Sequence, residues 1–226
     1  TVTGVWQPLT LTAGTGNIIF VDNVGATDAR LGALTINSAT NVAGVSAPDG
    51  ATSSHNAGAM YATSLTQQSG SGLTQLGAVT TTGNIALTGT NLVINGNLSS
   101  GAEVTVTESS TVTINKAITA VGNIVVYSIS NTTIVDSGDI TSTGGTVAFG
   151  DDGTTYTGTL TTAGEITTTG KNITFNNPVF LSGTVELTTG SDPESGDIIL
   201  NSTIDGTQNL TFTVGTGSVV FNDNVG

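Results

Sequence analysis

The side chains that could do chemistry are few and scattered. The 226 residues include one His, no Cys, three basic residues and 16 acids. A zinc site or a Ser–His–Asp triad would have to be built on His55, the sole imidazole. His55 sits in a Ser/Asn/Gly stretch with no acid nearer than Asp49, which reads as a surface loop. The acids group in turn-like segments: Asp136 with Asp139, Asp151-Asp152-Gly153, and Asp192, Glu194 and Asp197. Calcium needs several oxygens at about 2.3–2.6 Å, and Asp-rich turns can offer them. Asp151 and Asp152 are therefore the first candidates for a metal site. Neither an Asp-x-Asp-x-Asp-Gly loop nor a Gly-Gly-x-Gly-x-Asp nonapeptide accompanies them, so solvated turns are the simpler reading.

Other chemistries lack partners. A glycosidase or lyase pairs carboxylates and usually adds a cation, but Arg30, Lys116 and Lys171 are far apart in sequence. Aromatic residues for sugar stacking are scarce. Gly14-Thr15-Gly16 has no following helix or Lys, so it is a turn and not a phosphate loop. Thr-x-Thr pairs such as Thr105/Thr107 and Thr167/Thr169 could suit ice binding only as a flat, regular lattice, and their position in the repeat varies. Asn97-Leu98-Ser99, Asn131-Thr132-Thr133, Asn172-Ile173-Thr174, Asn201-Ser202-Thr203 and Asn209-Leu210-Thr211 fit the glycosylation sequon, as chance would allow in a chain this rich in Asn and Thr. No catalytic residue, no enzyme activity and no cofactor other than calcium is expected.

The elements that would position these residues are strands. Thr (45 residues) and Gly (31) make up about a third of the chain, and strong helix formers are rare, so helix is disfavoured. The formal charge of −13 opposes binding to nucleic acid or to an anionic membrane surface. No apolar run approaches the ~20 residues of a membrane helix. Mean hydropathy is positive, at +0.20, unlike that of a disordered chain. Without Cys, stability must come from packing and backbone pairing.

Short runs alternate apolar and polar residues: Ile85-Ala86-Leu87, Val104-Thr105-Val106, Val112-Thr113-Ile114, Ile173-Thr174-Phe175, Leu210-Thr211-Phe212. This is the half-buried strand pattern. Glycines at 83, 101, 122, 145, 164, 183 and 206 punctuate the runs at steps of 18 to 23, averaging about 20.5 residues. Short strands on a period near 20, with no helical segment, predict a parallel β-solenoid with one coil per period. A sandwich would show strands at 8–12-residue spacing without the longer period. About ten to eleven coils and a right-handed winding are expected. The inner ladders should include Ile18, Phe20, Ile85, Leu87, Leu92, Ile94, Val104, Val106, Val112, Ile114, Ile124, Val147, Phe149, Ile166, Ile173, Phe175, Val185, Leu187, Leu210, Phe212, Val219 and Phe221. Residues 43–75 break the period, with Pro48-Asp49-Gly50 and Ser53-Ser54 of loop type. An irregular loop or loosened coil is expected there, with Tyr61–Gln67 re-entering a strand.

A longer recurrence overlies the short one. Thr12-Ala13-Gly14-Thr15-Gly16-Asn17-Ile18-Ile19-Phe20-Val21-Asp22-Asn23-Val24-Gly25 returns 201 residues later as Thr213-Val214-Gly215-Thr216-Gly217-Ser218-Val219-Val220-Phe221-Asn222-Asp223-Asn224-Val225-Gly226. The chain reads as one repeat, plus an overlap, of a tandem array. Ten coils at about 4.8 Å would make each repeat roughly 45–50 Å long.

The segments Gly196-Asp197-Ile198-Ile199-Leu200-Asn201-Ser202-Thr203-Ile204-Asp205-Gly206, Thr207–Phe212, Val214–Phe221 and Leu31–Val42 carry a resemblance over most of the chain. They resemble the Thr/Gly-rich strand repeats of giant bacterial surface proteins, the filamentous-haemagglutinin-like adhesins. The resemblance implies a secreted, surface-displayed fibrous protein whose repeats act as a stalk and carry no catalytic residues. It implies extracellular localisation at the bacterial surface, and identical repeats or subunits joined head to tail as partners. A competing expectation is a receptor- or glycan-binding module of an adhesin that uses residues 43–75 against a host or neighbouring cell surface.

Overall fold

The computed structural model describes residues 6–43, 58–151, 158–190 and 196–226. Among these, 26 short strands and no helix form a parallel β-solenoid of about nine turns with about 21 residues per turn. All pairings between the strands are parallel, as a chain that winds always in one sense requires. Each coil has three faces. In one coil these are Leu98–Ser100 on the first, Val104–Glu108 on the second and Val112–Ile114 on the third. The next coil repeats them as Ile118–Ala120, Ile124–Ser128 and Thr132–Ile134, each in register with its predecessor. The first two faces belong to one 17-stranded sheet and the third to a nine-stranded sheet.

Alternation decides which side chains fill the interior. In Val104–Glu108 the odd and even positions alternate buried and half-buried, and stacking in register turns each inward position into a ladder. One ladder runs Ile85, Val104, Ile124, Val147, Ile173, Ile198; another runs Leu87, Val106, Val126, Phe149, Phe175, Leu200. All twelve are at most 1% exposed. Most of the expected interior residues are buried. Ile18, Phe20, Leu210, Phe212 and Val219 are half-buried in the outermost described coils, and Phe221 there is 42% exposed.

Corners are held by close backbone approach and by side chains that bridge coils. At Gly101 a Cβ would stand 2.3 Å from the carbonyl oxygen of Thr82, so the coil can turn there only without a side chain. The residue before each second-face strand is often Asn or Asp, whose Oδ1 accepts the N–H of the same position one coil on. Asn123 accepts from Thr146 at 2.9 Å, Asn172 from Asp197 at 2.8 Å and Asp197 from Ser218 at 2.8 Å. Beyond the second face an amide ladder joins Asn176, Asn201 and Asn222, with Nδ2 to Oδ1 distances of 2.7 Å at both steps.

The solenoid has about nine turns, not the ten to eleven expected from the glycine spacing. The glycines slip as a ruler. Gly101, Gly122 and Gly145 mark the corner between first and second faces, whereas Gly164 and Gly183 mark the corner between third and first. The coils also vary in length, from 18 residues between the paired positions Thr74 and Leu92 to 32 between Val42 and Thr74.

The stretch expected to be irregular, 43–75, divides. Residues 44–57 lie outside the described residues. Met60–Gln67 is an eight-residue strand spanning the first and second faces, and Leu73–Leu76 lies on the third.

Candidate functional site

Buried polar side chains gather at the corners: the hydroxyls of Ser100, Ser142, Thr168 and Thr189 lie at the corner between the first and second faces, and at the corner between the second and third faces a polar seam crosses several coils. Gln67, 1% exposed, donates from Nε2 to Thr74 Oγ1 at 2.8 Å and to the Thr88 carbonyl at 3.2 Å. Further along the seam, Glu108 stands in register between Gly89 and Ser128. It is 0% exposed, and neither carboxylate oxygen has a hydrogen-bond partner. The hydroxyl of Ser128 is directed to the carbonyls of Ser110 and Asn131.

Gly89 makes this crowding possible. A Cβ there would lie 3.0 Å from Glu108 Oε2 and 3.1 Å from Gln67 Nε2, so both side chains close over the bare glycine. Burial disfavours the charged form of Glu108 and raises its pKa from 4.5 to about 7. The folded chain therefore holds a proton that the unfolded chain releases near pH 4.5. The neutral acid's contribution to stability is fully present below about pH 4.5 and is lost as the pH rises to about 7. On the outer side of this corner is an open groove of about 410 Å³, lined by Ser38, Ser69, Gly70, Thr88, Thr90 and Ser109 among others, with no charged side chain.

Sequence reasoning missed Glu108. The signal was present: in Val104-Thr105-Val106-Thr107-Glu108 the period-2 rule that buries Val104 and Val106 also turns Glu108 inward.

The acidic candidates fall differently. Asp151, a half-buried residue, follows the Val147–Phe149 strand, and Asp152 lies outside the described residues, as do His55, Asp192 and Glu194. Asp139 and Asp197 work as coil-to-coil acceptors: Asp139 Oδ1 takes the N–H of Glu165 at 3.0 Å, as Asp197 takes that of Ser218. Among the described residues no three His, Cys, Asp or Glu side chains converge as a metal would require.

A third surface feature is a column of hydroxyls. The outward positions of the first face read Thr80, Ser99, Thr119, Thr141, Thr167, Thr188 and Thr213 in register up the rod. The second face reads Thr66, Ala86, Thr105, Val125, Ala148, Thr174, Ile199 and Val220, so the hydroxyls form one rail and not a lattice.

The two outermost described coils carry apolar surface. Val220, Phe221 and Val225 are 36%, 42% and 61% exposed at one end, and Ile19 and Val21 are 46% and 64% exposed at the other. Phe221 packs edge-on against Phe212, with ring centroids 5.8 Å apart. No family model matches the chain, and neither a curated protein nor a solved structure proves similar to it.

Proposed function

We propose that the chain is a structural segment of an extracellular fibre or stalk, a rod of stacked coils that continues end to end with further copies of the same repeat. The observation that carries this reading is the 201-residue recurrence within an unbroken stack of in-register coils. Val219–Phe221 is a regular strand with exposed apolar side chains, paired on one side only by Ile198–Leu200 among the described residues. Open parallel edges are an invitation to further pairing unless they are covered. The 201-residue recurrence supplies a partner, since residues 213–226 match a segment already known to be followed by a coil. The resemblance to filamentous-haemagglutinin-like repeats supports placing such a rod at a bacterial cell surface, as part of an adhesin, sheath or matrix filament.

Electron microscopy or fibre diffraction of a polypeptide carrying several such repeats tests the proposal. Eight to nine coils at about 4.8 Å give an axial repeat of roughly 38–43 Å. Beads of separate globules, with no continuous 4.8 Å reflection along the axis, would sink it.

A second reading, a receptor- or glycan-binding module, draws support from the hydroxyl-lined groove, because Ser69, Gly70 and Ser71 on its wall belong to the 43–75 stretch. Excising residues 44–57 alone separates the two readings, since Met60–Gln67 and Leu73–Leu76 belong to the rod. Loss of cell or glycan binding with the melting temperature retained would favour the module.

A further inference from the structure

The segment that recurs after 201 residues does not stand in the same place twice. In its first copy Ile18–Ile19 pairs with Val42–Ala43 on the third face, and Val24 bridges Met60 on the first. In its second copy Val219–Phe221 pairs with Ile198–Leu200 on the second face, and Val225 bridges Ile204 on the third. The preceding strands are displaced in the same way. Leu9–Thr12 lies on the second face against Leu34–Ser38, whereas Leu210–Thr213 lies on the first against Val185–Thr188. Every landmark differs by one face, a third of a coil.

Alternation does not choose between the two registers. The half-buried residues Leu9, Leu11, Ile18 and Phe20 of the first copy match Leu210, Phe212 and Val219 of the second, which are also half-buried, and Phe221. The neighbouring elements do choose. Leu31–Ser38 and Met60–Gln67 each run through the first and second faces as one strand, while among the described residues no strand runs from the third face into the first. Rotating a whole repeat by a third of a coil would move such an eight-residue strand from the corner between the first and second faces, which it already passes, to the corner between the third and first, which no strand crosses among the described residues. Shifting residues 9–25 alone leaves both long strands as they are.

We infer that residues 9–25 are a register-shifting coil. As the first described coil they take the register seen here. Where another copy of the repeat precedes them, they take the register of 210–226, with Ile18–Phe20 on the second face beside Leu34–Ile36 and Val24 on the third beside Val42. This inference rests on the stacked-repeat reading above. Its ligand is a second copy of the chain's own coil, which pairs with residues 9–25 from the side left open here. Each 201-residue repeat then holds nine whole coils, and successive repeats present the same face on the same side of the rod.

The chain has no Cys, so introduced pairs report register directly. In-register neighbours in a parallel ladder are about 4.8 Å apart, within reach of a disulfide. In the single chain, Ile19→Cys should cross-link with Ala43→Cys and not with Thr35→Cys. A tandem chain is then made with a second copy of residues 26–226 after Gly226. There Val220→Cys, the equivalent of position 19, should cross-link at least about tenfold more to a Cys at the second copy's Thr35 than to one at its Ala43. Val220→Cys with Ile199→Cys is the positive control, since that pair is in register already. Preferential cross-linking to the second copy's Ala43 overturns the register shift and leaves the stacked rod standing. Cross-linking to neither, with the control intact, overturns the stacked rod and the inference together.

Discussion

Phe149 and Phe175 lie one above the other in the same ladder, with ring centroids 5.5 Å apart and planes only 6° from parallel. Both rings are 1% exposed. In-register pairing enforces this stack, because adjacent coils hold like positions at strand spacing. Phe175→Asp should therefore place an unpaired charge in an apolar column and cost more than about 4 kcal/mol. Thr174→Asp, on the outer face next to it, should cost less than about 1 kcal/mol. Thermal melting followed by far-ultraviolet circular dichroism checks both, and equal losses would contradict the assigned faces.

Glu108→Gln keeps the shape of the buried side chain and removes its proton equilibrium. The variant should gain on the order of 2 kcal/mol over the native chain at pH 8 and little at pH 4. The sign follows from a carboxyl raised by burial to about 7: the folded state loses stability relative to the variant as the pH climbs from about 4.5 to 7. The difference between the two urea midpoints across that range is the measurement. A gain independent of pH would mean that Glu108 titrates normally.

Gly101→Ala drives a methyl group into the Thr82 carbonyl of the preceding coil, at 2.3 Å. One coil must move, and a loss of roughly 2–4 kcal/mol is expected. Gly14→Ala is the comparison. Gly14 has φ +59° but nothing within 4 Å of a Cβ, so only the backbone penalty of roughly 1–2 kcal/mol applies. A similar cost at both sites would show that close coil approach is not what the corner glycine provides.

Chelation tests Asp151 and Asp152. If acidic turns serve as acceptors between coils, as Asp139 and Asp197 do, EDTA should leave the melting temperature unchanged within about a degree. A fall of about 5 °C or more, large for a chain of this size, would instead make calcium a structural component at that turn.

Much of the architecture is legible in the sequence because one physical rule dominates it. Alternation sorts Val104, Val106, Ile173 and Phe175 to the inside without reference to any other residue. The coil count was harder, because it depends on which corner a glycine turns, and Gly145 and Gly164 look alike in sequence while marking different corners. Long strands such as Met60–Gln67 also pass a corner without any glycine, so the glycine period fades there although the strand itself is regular. The polar seam was hidden for a different reason. Glu108 follows the burial rule against its own chemistry, and its partners across the coils, Gly89 and Ser128, are named only by register.

The direction of the hydrogen bonds has a mechanical consequence. Bonds such as Val104 N to Asn123 O and Ile124 N to Thr146 O link one coil to the next and so point along the rod. Tension applied between its two ends pulls on them lengthwise, one layer at a time, instead of shearing many together. Under load such a rod should yield from an end, surrendering one coil per event. Each released coil of about 21 residues would add roughly 65 Å of slack in place of its ~5 Å of height. A tether of this kind dissipates sudden pulls in small steps and re-forms from the coil still standing.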